Sequence, residues 1–340
     1  MIDISIIIPV RNEEKYIAET INSLTSNLDS LTYELIVVDG MSTDNTRKIV
    51  LDLMKNNKNI ILMDNSEKIV SNALNIAIEK SKGKFILRAD SHSIFPKNYV
   101  SRLIAKLNED DCIQNVGCIC ETIPSDNSRK SLAIAQAASS IFGVGNSNMR
   151  INKMSKNIIE VDTVPFGCFK RSLFDKIGKF DEDLIRNQDD EFNARIRINK
   201  GKILLLQDMK IKIFARKNFS SLFNMFYQYG LFKPLVNKKI NQIVSLRQLF
   251  PFINLILLSI GIIGSIIFKS IIPLFLLIPY LFFLIFSSIT ISVVSKRIDI
   301  ILHILFSLIT IHLSYGLGYS HGIINLFFVN KKYYDLKISR

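Results

Sequence analysis

Four short apolar runs open the chain: Ile4 to Val10, Glu34 to Asp39, Asn59 to Met63 and Lys84 to Leu87. The first is rich in β-branched residues, and each is short enough to be a strand buried on both faces. Between them the apolar residues recur with helical spacing, through Ile17, Ile21 and Leu24, then over Thr46 to Met54 and Ile69 to Lys80. Strands alternating with helices in this way predict βαβ units and a parallel sheet, the α/β class. Right-handed crossovers then put the strand tips on one edge, where ligands of open α/β sheets bind. The stretch from Ser101 to Lys130 is mixed and broken by Asp110 and Asp111, Ser131 to Phe142 has a small-residue helical pattern, and Gly143 to Ser155 is a loop expected to close over substrate. From Gln248 the pattern changes. Leu249 to Phe268, Ile271 to Val294 and Ile300 to about Tyr319 are apolar runs of bilayer-spanning length. The expected organisation is an α/β domain over 1–211, an amphipathic membrane-surface segment over 212–247, about three transmembrane spans over 248–330 and a basic tail over 331–340.

Composition supports the membrane reading. The 340 residues carry 43 Lys and Arg against 30 Asp and Glu, a net charge of +13, and the mean hydropathy is +0.25. A basic chain with apolar spans suits an anionic membrane surface. Nucleic acid is not expected as a partner, because the basic residues cluster beside the apolar runs and not with aromatics on a soluble face. Trp is absent, so Tyr and Phe would have to line the interface. The four cysteines, Cys112, Cys118, Cys120 and Cys168, form no CxxC pair and are expected as free thiols. Ile2 to Val10 is short, carries Asp3 and has no basic leader, so no signal peptide is expected. Lys233, Lys238, Lys239 and Arg247 before the first run, and Lys296 and Arg297 after the second, place the α/β domain in the cytoplasm by the positive-inside rule. A third crossing would put Lys331, Lys332, Lys337 and Arg340 outside, against that rule. Either the rule loses there or the third run re-enters. His303, His312 and His321 in that run could line a polar groove, but Gly316, Gly318 and Gly322 suggest close helix packing, the reading we favour.

Three polar clusters follow apolar strands: Arg11 to Glu14, Asp39 to Asp44, and Arg88 to His92. Asp90 and His92 are two apart and can point to one side at a strand end. A carboxylate and an imidazole so placed can share a divalent cation and leave coordination sites for phosphate oxygens; an exposed polar turn is the plain alternative. Asp39 either caps the next turn or accepts hydrogen bonds from a base or ribose. Asp189, Asp190 and Glu191 either answer the dipole of a helix N-terminus or include a general base. There is no GxGxxG and no GxxxxGK[ST], so neither a dinucleotide fold nor a P-loop is supported.

Several ordered motifs over residues 1 to about 235 resemble the family 2 glycosyltransferases of GT-A fold, a nucleotide-diphospho-sugar transferase architecture. They are Ile6 to Glu13, Val37 to Asp44, Asp90-Ser-His92, Gly178 to Asp181 and Gln188 to Arg195. The Arg88-x-Asp90-x-His92 form, the Thr163 to Gly167 run, the Asn187-Gln188-Asp189 form and Tyr229-Gly-x-x-Lys233 most resemble the membrane-bound succinoglycan and exopolysaccharide enzymes. The resemblance implies an inverting, metal-dependent transfer from a nucleotide-sugar, UDP-linked by expectation, to a lipid-linked or saccharide acceptor hydroxyl at the cytoplasmic face of the cell membrane, in exopolysaccharide or cell-surface glycan biosynthesis, with a lipid-linked glycan or polyprenyl acceptor as partner. It implies donor-nucleotide contacts from Pro9, Val10, Glu13, Asp39, Arg88 and Asp90, and Mn²⁺ or Mg²⁺ held by Asp90 and His92. It implies Asp189 as catalytic base, with Gly167, Asp190, Glu191, Arg195, Tyr229 and Lys233 around the acceptor. Two departures stand out. His92 replaces a second Asp and favours a softer cation such as Mn²⁺, and Gln188 replaces a carboxylate beside the base. The Gln-x-x-Arg-Trp signature of processive synthases is absent; Met225 to Tyr229 stands there, which favours single-sugar addition. The rival readings are a polyprenyl-phosphate sugar transferase and a non-catalytic membrane assembly subunit.

Overall fold

The computed structural model describes residues 2–26, 28, 31–145, 147, 149–150, 154–243 and 246–328. The basic tail, including Lys331, Lys332, Lys337 and Arg340, lies outside the described residues, as do positions 146, 148 and 151–153 of the expected substrate loop. In chain order the elements are β1 (Ile4–Val10), α1 (Ile17–Thr25), β2 (Tyr33–Asp39), α2 (Thr46–Asn56), β3 (Ile60–Asp64), α3 (Val70–Lys80), β4 (Phe85–Arg88), β5 (Ser93–Ile94), α4 (Tyr99–Leu107) and β6 (Ile113–Ile123). After them come α5 (Arg129–Ala138), α6 (Ile141–Val144), β7 (Ile158–Glu160), β8 (Cys168–Lys170), α7 (Ser172–Ile177), α8 (Gln188–Ile198), β9 (Lys202–Phe214), α9 (Phe219–Ile240), α10 (Leu249–Phe268), α11 (Ile278–Val294) and α12 (Ile301–Phe328).

The chain divides into two units, one of residues 1–121 and 152–213, the other of 122–151 and 214–339. This differs from the expected continuous domain over 1–211, since residues 122–151 belong with the helices. Their small side chains explain the exchange: Ala133, Ala135 and Ala137 of α5 sit in one apolar cluster with Leu284, Ile291, Ile304 and Leu308 of the C-terminal helices.

In the first unit β3, β2, β1 and β4 are parallel neighbours, with Ile4 to Val10 in register against Tyr33 to Asp39. Ile4, Ile6, Ile8, Leu35, Val37 and Leu87 are fully buried in the main core, as their unbroken apolar runs require. Beyond β4 the sheet continues with β8, β6, β9 and β5, with antiparallel pairing at β4–β8, β8–β6 and β9–β5. That half was not visible in the pattern. The four cysteines are free as expected, and all but Cys112 are buried. Burial pushes the Cys118 and Cys168 thiols upward in pKa, which leaves them inert.

In the second unit three helical stretches, Leu246–Phe268, Ile272–Val294 and Ile298–Phe327, are long and apolar enough to cross a membrane, by length and composition. The third runs unbroken as one helix to Phe328, about 42 Å at 1.5 Å per residue. α9 does not have the single apolar stripe of an interfacial helix. Gly230, Leu231, Phe232, Lys233, Pro234 and Val236 are all buried, on every side of it. The glycines explain this: a Cβ at Gly318 or Gly322 of α12 would run into the Tyr227 or Leu231 carbonyl of α9, and one at Gly230 into the Tyr315 carbonyl. The two backbones therefore touch. Two of the three histidines of this region, His312 and His321, are satisfied by packing neighbours. His312 bonds the Tyr280 hydroxyl at 3.0 Å and the Phe142 carbonyl at 2.8 Å, and His321 bonds the Tyr227 hydroxyl.

Candidate active site

The tips of β1 and β2 are sewn together. Asn12 has a left-handed backbone, φ 54°, which Asn tolerates and which turns its amides toward the neighbouring loop. Asn12 N–H donates to Ser42 Oγ (2.9 Å), Glu13 N–H to Thr46 Oγ1 (2.8 Å), and Asn12 Oδ1 accepts from Thr43 N–H (2.8 Å). Gly40 N–H donates to the Val10 carbonyl at 2.8 Å. Glu14 accepts from Asn45 N–H at 3.0 Å, and its own N–H donates to Asp44 at 3.2 Å. Burial acts to raise the Asp44 pKa, but the Thr46 hydroxyl and amide and the Glu14 amide outweigh it, and the carboxyl lies below its usual range. Pro9 is half-buried and Val10 buried beneath these loops.

Asp39 ends β2, 1 % exposed. Its Oδ1 accepts from the Ser42 amide (3.1 Å) and hydroxyl (2.6 Å), and its Oδ2 lies 3.4 Å from Arg47 Nη1.

From Glu13 a line of charged side chains runs across the rim. Glu13, buried, places Oε1 at 3.4 Å from His92 Nδ1, and His92 Nε2 lies 4.0 Å from Asp90 Oδ2. Asp90 Oδ1 is 3.5 Å from Arg88 Nη2, and Arg88 Nη1 pairs with Asp189. Arg88 is the anchor: it ends β4, is only 4 % exposed, and lies 5.5 Å from the Phe166 ring. A buried charge persists only when paired, and here it has a carboxylate on either side. Five residues chosen from the sequence, Glu13, Arg88, Asp90, His92 and Asp189, thus stand in one connected row, with Asp39 held through the sewn loops.

Gly167 works through the backbone. Its carbonyl accepts the Arg88 N–H at 3.1 Å, and a Cβ there would collide with the side-chain amide of Asn115. Asn187, φ 62°, opens α8 and delivers Asp189 and Asp190 into its first turn, both part-buried. Glu191 and Arg195 face elsewhere. They pair with each other, Arg195 Nε to Glu191 Oε1 at 2.6 Å, and Arg195 also donates to the Ile177 carbonyl (2.6 Å) and the Lys179 carbonyl (2.7 Å). That ties α8 to the end of α7. Tyr229 and Lys233 belong to the helical unit, where Arg150 lies 5.7 Å from the Tyr229 ring and Lys233 is buried.

A buried amide network lies outside the site residues expected from the sequence. Asn115 Nδ2 donates to Asn193 Oδ1 (2.7 Å), and Asn193 Nδ2 donates to Thr163 Oγ1 (2.8 Å) and the Val164 carbonyl (3.0 Å). It joins β6, the run before β8, and α8 one turn after Asp189. Its signal was a polar residue between Phe192 and Ala194 in a buried helix turn. Among the described residues no group of three or more His, Cys, Asp or Glu side chains is arranged to hold a metal.

The sequence profile of Glycosyl transferase family 2 matches residues 5–178, just over half of the chain. The chain belongs to that family. It is a glycosyltransferase, and its fold is GT-A. Among curated family relatives, the succinoglycan biosynthesis protein ExoA of Rhizobium meliloti (strain 1021) is 25 % identical over 248 residues, 72 % of this chain and 73 % of that protein. A dolichyl N-acetyl-α-D-glucosaminyl phosphate diacetamido-dideoxy-glucuronosyltransferase of Methanococcus voltae is 28 % identical over 305 residues, 83 % and 92 % of the two chains. The fold also matches the mannosyltransferase PcManGT of Pyrobaculum calidifontis, solved with GDP-Man and Mn²⁺, at TM-score 0.58 and 16 % identity over 96 % of this chain and 89 % of that one.

Proposed function

We propose that this family 2 glycosyltransferase moves one sugar from a nucleotide-sugar, UDP-linked by preference, to a hydroxyl of a lipid-linked glycan at the cytoplasmic face of the cell membrane, with inversion, in building a cell-surface polysaccharide. The row Glu13–His92–Asp90–Arg88–Asp189 carries the reading. Asp39, Pro9, Val10 and Glu13 line the nucleotide end, and Arg88 and Asp90 the diphosphate. Asp189 takes the proton of the acceptor hydroxyl as it attacks the anomeric carbon opposite the leaving group, and Arg88 holds the Asp189 carboxylate in place for that approach. Asp190, in the same first turn of α8, sits toward the acceptor, and Tyr229 and Lys233 are the candidate acceptor contacts of the helical unit.

Asp90 and His92 fit a divalent cation. Their nearest donor atoms are 4.0 Å apart, a gap that two bonds of roughly 2.1 Å to one ion can span, and a mixed O,N pair suits Mn²⁺. When bound, the ion offsets the negative charge that develops on the leaving nucleoside diphosphate. The mannosyltransferase of like fold was solved with that cation, and the Methanococcus voltae relative carries a dolichyl-phosphate-linked sugar in its name, which supports a lipid carrier for the acceptor. The three apolar helices would span the bilayer, and the basic residues at Lys238, Lys239, Arg247, Lys296 and Arg297 support a cytoplasmic position for the catalytic unit.

The test is a transfer assay on membranes holding the full chain, with nucleotide-sugars as donors and polyprenyl phosphate or a lipid-linked sugar as acceptor. Asp189→Asn is expected to bind donor normally and lose transfer by about 10² to 10⁴. Undiminished transfer by Asp189→Asn would remove Asp189 as the base.

A further inference from the structure

One group on the rim has no part in the row that ends at Asp189. Asp39 and Asp64 are register partners at the ends of the parallel strands β2 and β3, and Arg47, in the first turn of α2, lies across both. Arg47 Nη1 donates to Asp64 Oδ1 at 2.5 Å but reaches Asp39 Oδ2 only at 3.4 Å. Its anchor is Asp64; against Asp39 it merely rests. The Arg47 side chain is 45 % exposed, and among the described residues its Nε and Nη2 have no partner. Asp39 Oδ1 is already engaged by the Ser42 amide and hydroxyl, so the acceptor capacity that remains is on Oδ2, under the long Arg47 contact.

The geometry points to Arg47 as a base-reading residue that, with Asp39, selects nucleotides whose base carries a ring N–H beside a carbonyl: uracil, thymine and guanine, over cytosine and adenine. The inference rests on the donor reading above. An ionised carboxylate only accepts and a guanidinium only donates. Side by side they complement an edge with a donor next to an acceptor. The ring N–H of uracil takes the Asp39 Oδ2 lone pair in place of the 3.4 Å contact, while Arg47 stays on Asp64 and turns its unpartnered N–H edge to the adjacent carbonyl. Guanine offers the same order through its ring N–H and carbonyl. Cytosine and adenine present a bare ring nitrogen to Asp39, lone pair against lone pair. They recover the polarity only by sliding until the exocyclic amine meets Asp39, which draws the ribose and diphosphate out of line with Asp90.

The test is calorimetric titration of UDP, GDP, CDP and ADP into the detergent-solubilised full chain with Mn²⁺, for the wild type, Arg47→Ala and Arg47→Lys. The wild type is expected to bind UDP and GDP at least about tenfold more tightly than CDP and ADP, one well-made hydrogen bond to a charged group being worth at least that factor. Arg47→Ala is expected to weaken UDP about tenfold, leave CDP nearly unchanged and so collapse the ratio. Arg47→Lys keeps the charge but loses the planar fork; its ratio falls too, and it carries the test if the alanine variant unfolds early. Equal wild-type affinity for all four nucleotides, or a ratio that survives both substitutions, overturns the role of Arg47. Failure of the wild type to bind any of the four sinks the donor reading instead.

Discussion

The same residue types behave in opposite ways in the two units. In the sheet, Ile4, Ile6, Ile7, Ile8, Leu35 and Ile36 are fully buried. In α10, Ile260, Ile263, Ile266 and Ile267 are exposed, and Gly261 is the one buried residue. The sheet buries its apolar groups against one another and spends its polar groups in a row at the strand tips. The helical unit buries backbone against backbone at glycines and turns its apolar side chains outward. The first is the arrangement of a domain folded in water; in the second the outward face matches hydrocarbon, and cohesion comes from close approach. On the function proposed above, the donor chemistry falls to the first and membrane attachment to the second.

The comparison breaks first at the glycines. Gly318→Leu would drive a side chain into the Tyr227 carbonyl and Leu231 amide. Overpacking of this kind costs typically 1–3 kcal/mol and more where backbone blocks relief. The expected outcome is a helical unit that becomes protease-sensitive in detergent, while nucleotide binding survives. Loss of both together would show that the units do not divide the work as described.

Next in size is the buried amide network. Asn193→Leu removes three hydrogen bonds and leaves Asn115 Nδ2 and Thr163 Oγ1 without a partner, at a cost of about 1–3 kcal/mol for each buried polar group so stranded. Thermal unfolding should fall sharply, and among molecules still folded transfer should drop more than donor binding, because α8 carries Asp189. An unchanged melting point would mean the network is dispensable. Smallest is Gly264→Ala, where the added Cβ meets the Pro273 side chain at 3.2 Å and the Phe268 ring at 4.0 Å, and no backbone. A shift in melting within about 0.5 kcal/mol is expected, against the large effect at Gly318, measured by the same proteolysis.

The parts legible in the sequence share a physical cause. β1, β2 and β4 are parallel and buried on both faces, and β3 beside them is half-buried, so each shows as a short apolar run with a charged residue, Arg11, Asp39, Asp64 or Arg88, at its end. The three apolar helices were equally plain, because lipid-facing length is a property of composition. β6 escaped notice because Gln114, Asn115 and Gly117 interrupt it, and Asn115 and Gly117 are buried for reasons lying elsewhere in the chain: an amide partner on α8, and Val164 pressed where a Cβ would stand. The allegiance of 122–151 to the helical unit was hidden likewise, since alanines say that something packs closely but not what. Within the site the strand-tip residues were found by position. Asn115, Asn193 and Thr163 act through their hydrogen bonds to one another and to α8, not on a ligand, and no local pattern announces that; Arg47 lies past the strand tip, in the first turn of α2, where position alone did not single it out. Glu191 and Arg195 stood in the motif, yet their contacts tie α8 to the backbone at Ile177 and Lys179.

The claim on which the account turns is that the strand tips form one cation-assisted cradle for a nucleotide-sugar. Calorimetric titration of UDP-sugar into the full chain, with and without Mn²⁺, for the wild type and for Asp90→Ala with His92→Ala, tests it directly. The account predicts binding that strengthens markedly with Mn²⁺ in the wild type and loses that dependence in the double variant. Tight binding that ignores both the cation and the two substitutions would contradict it.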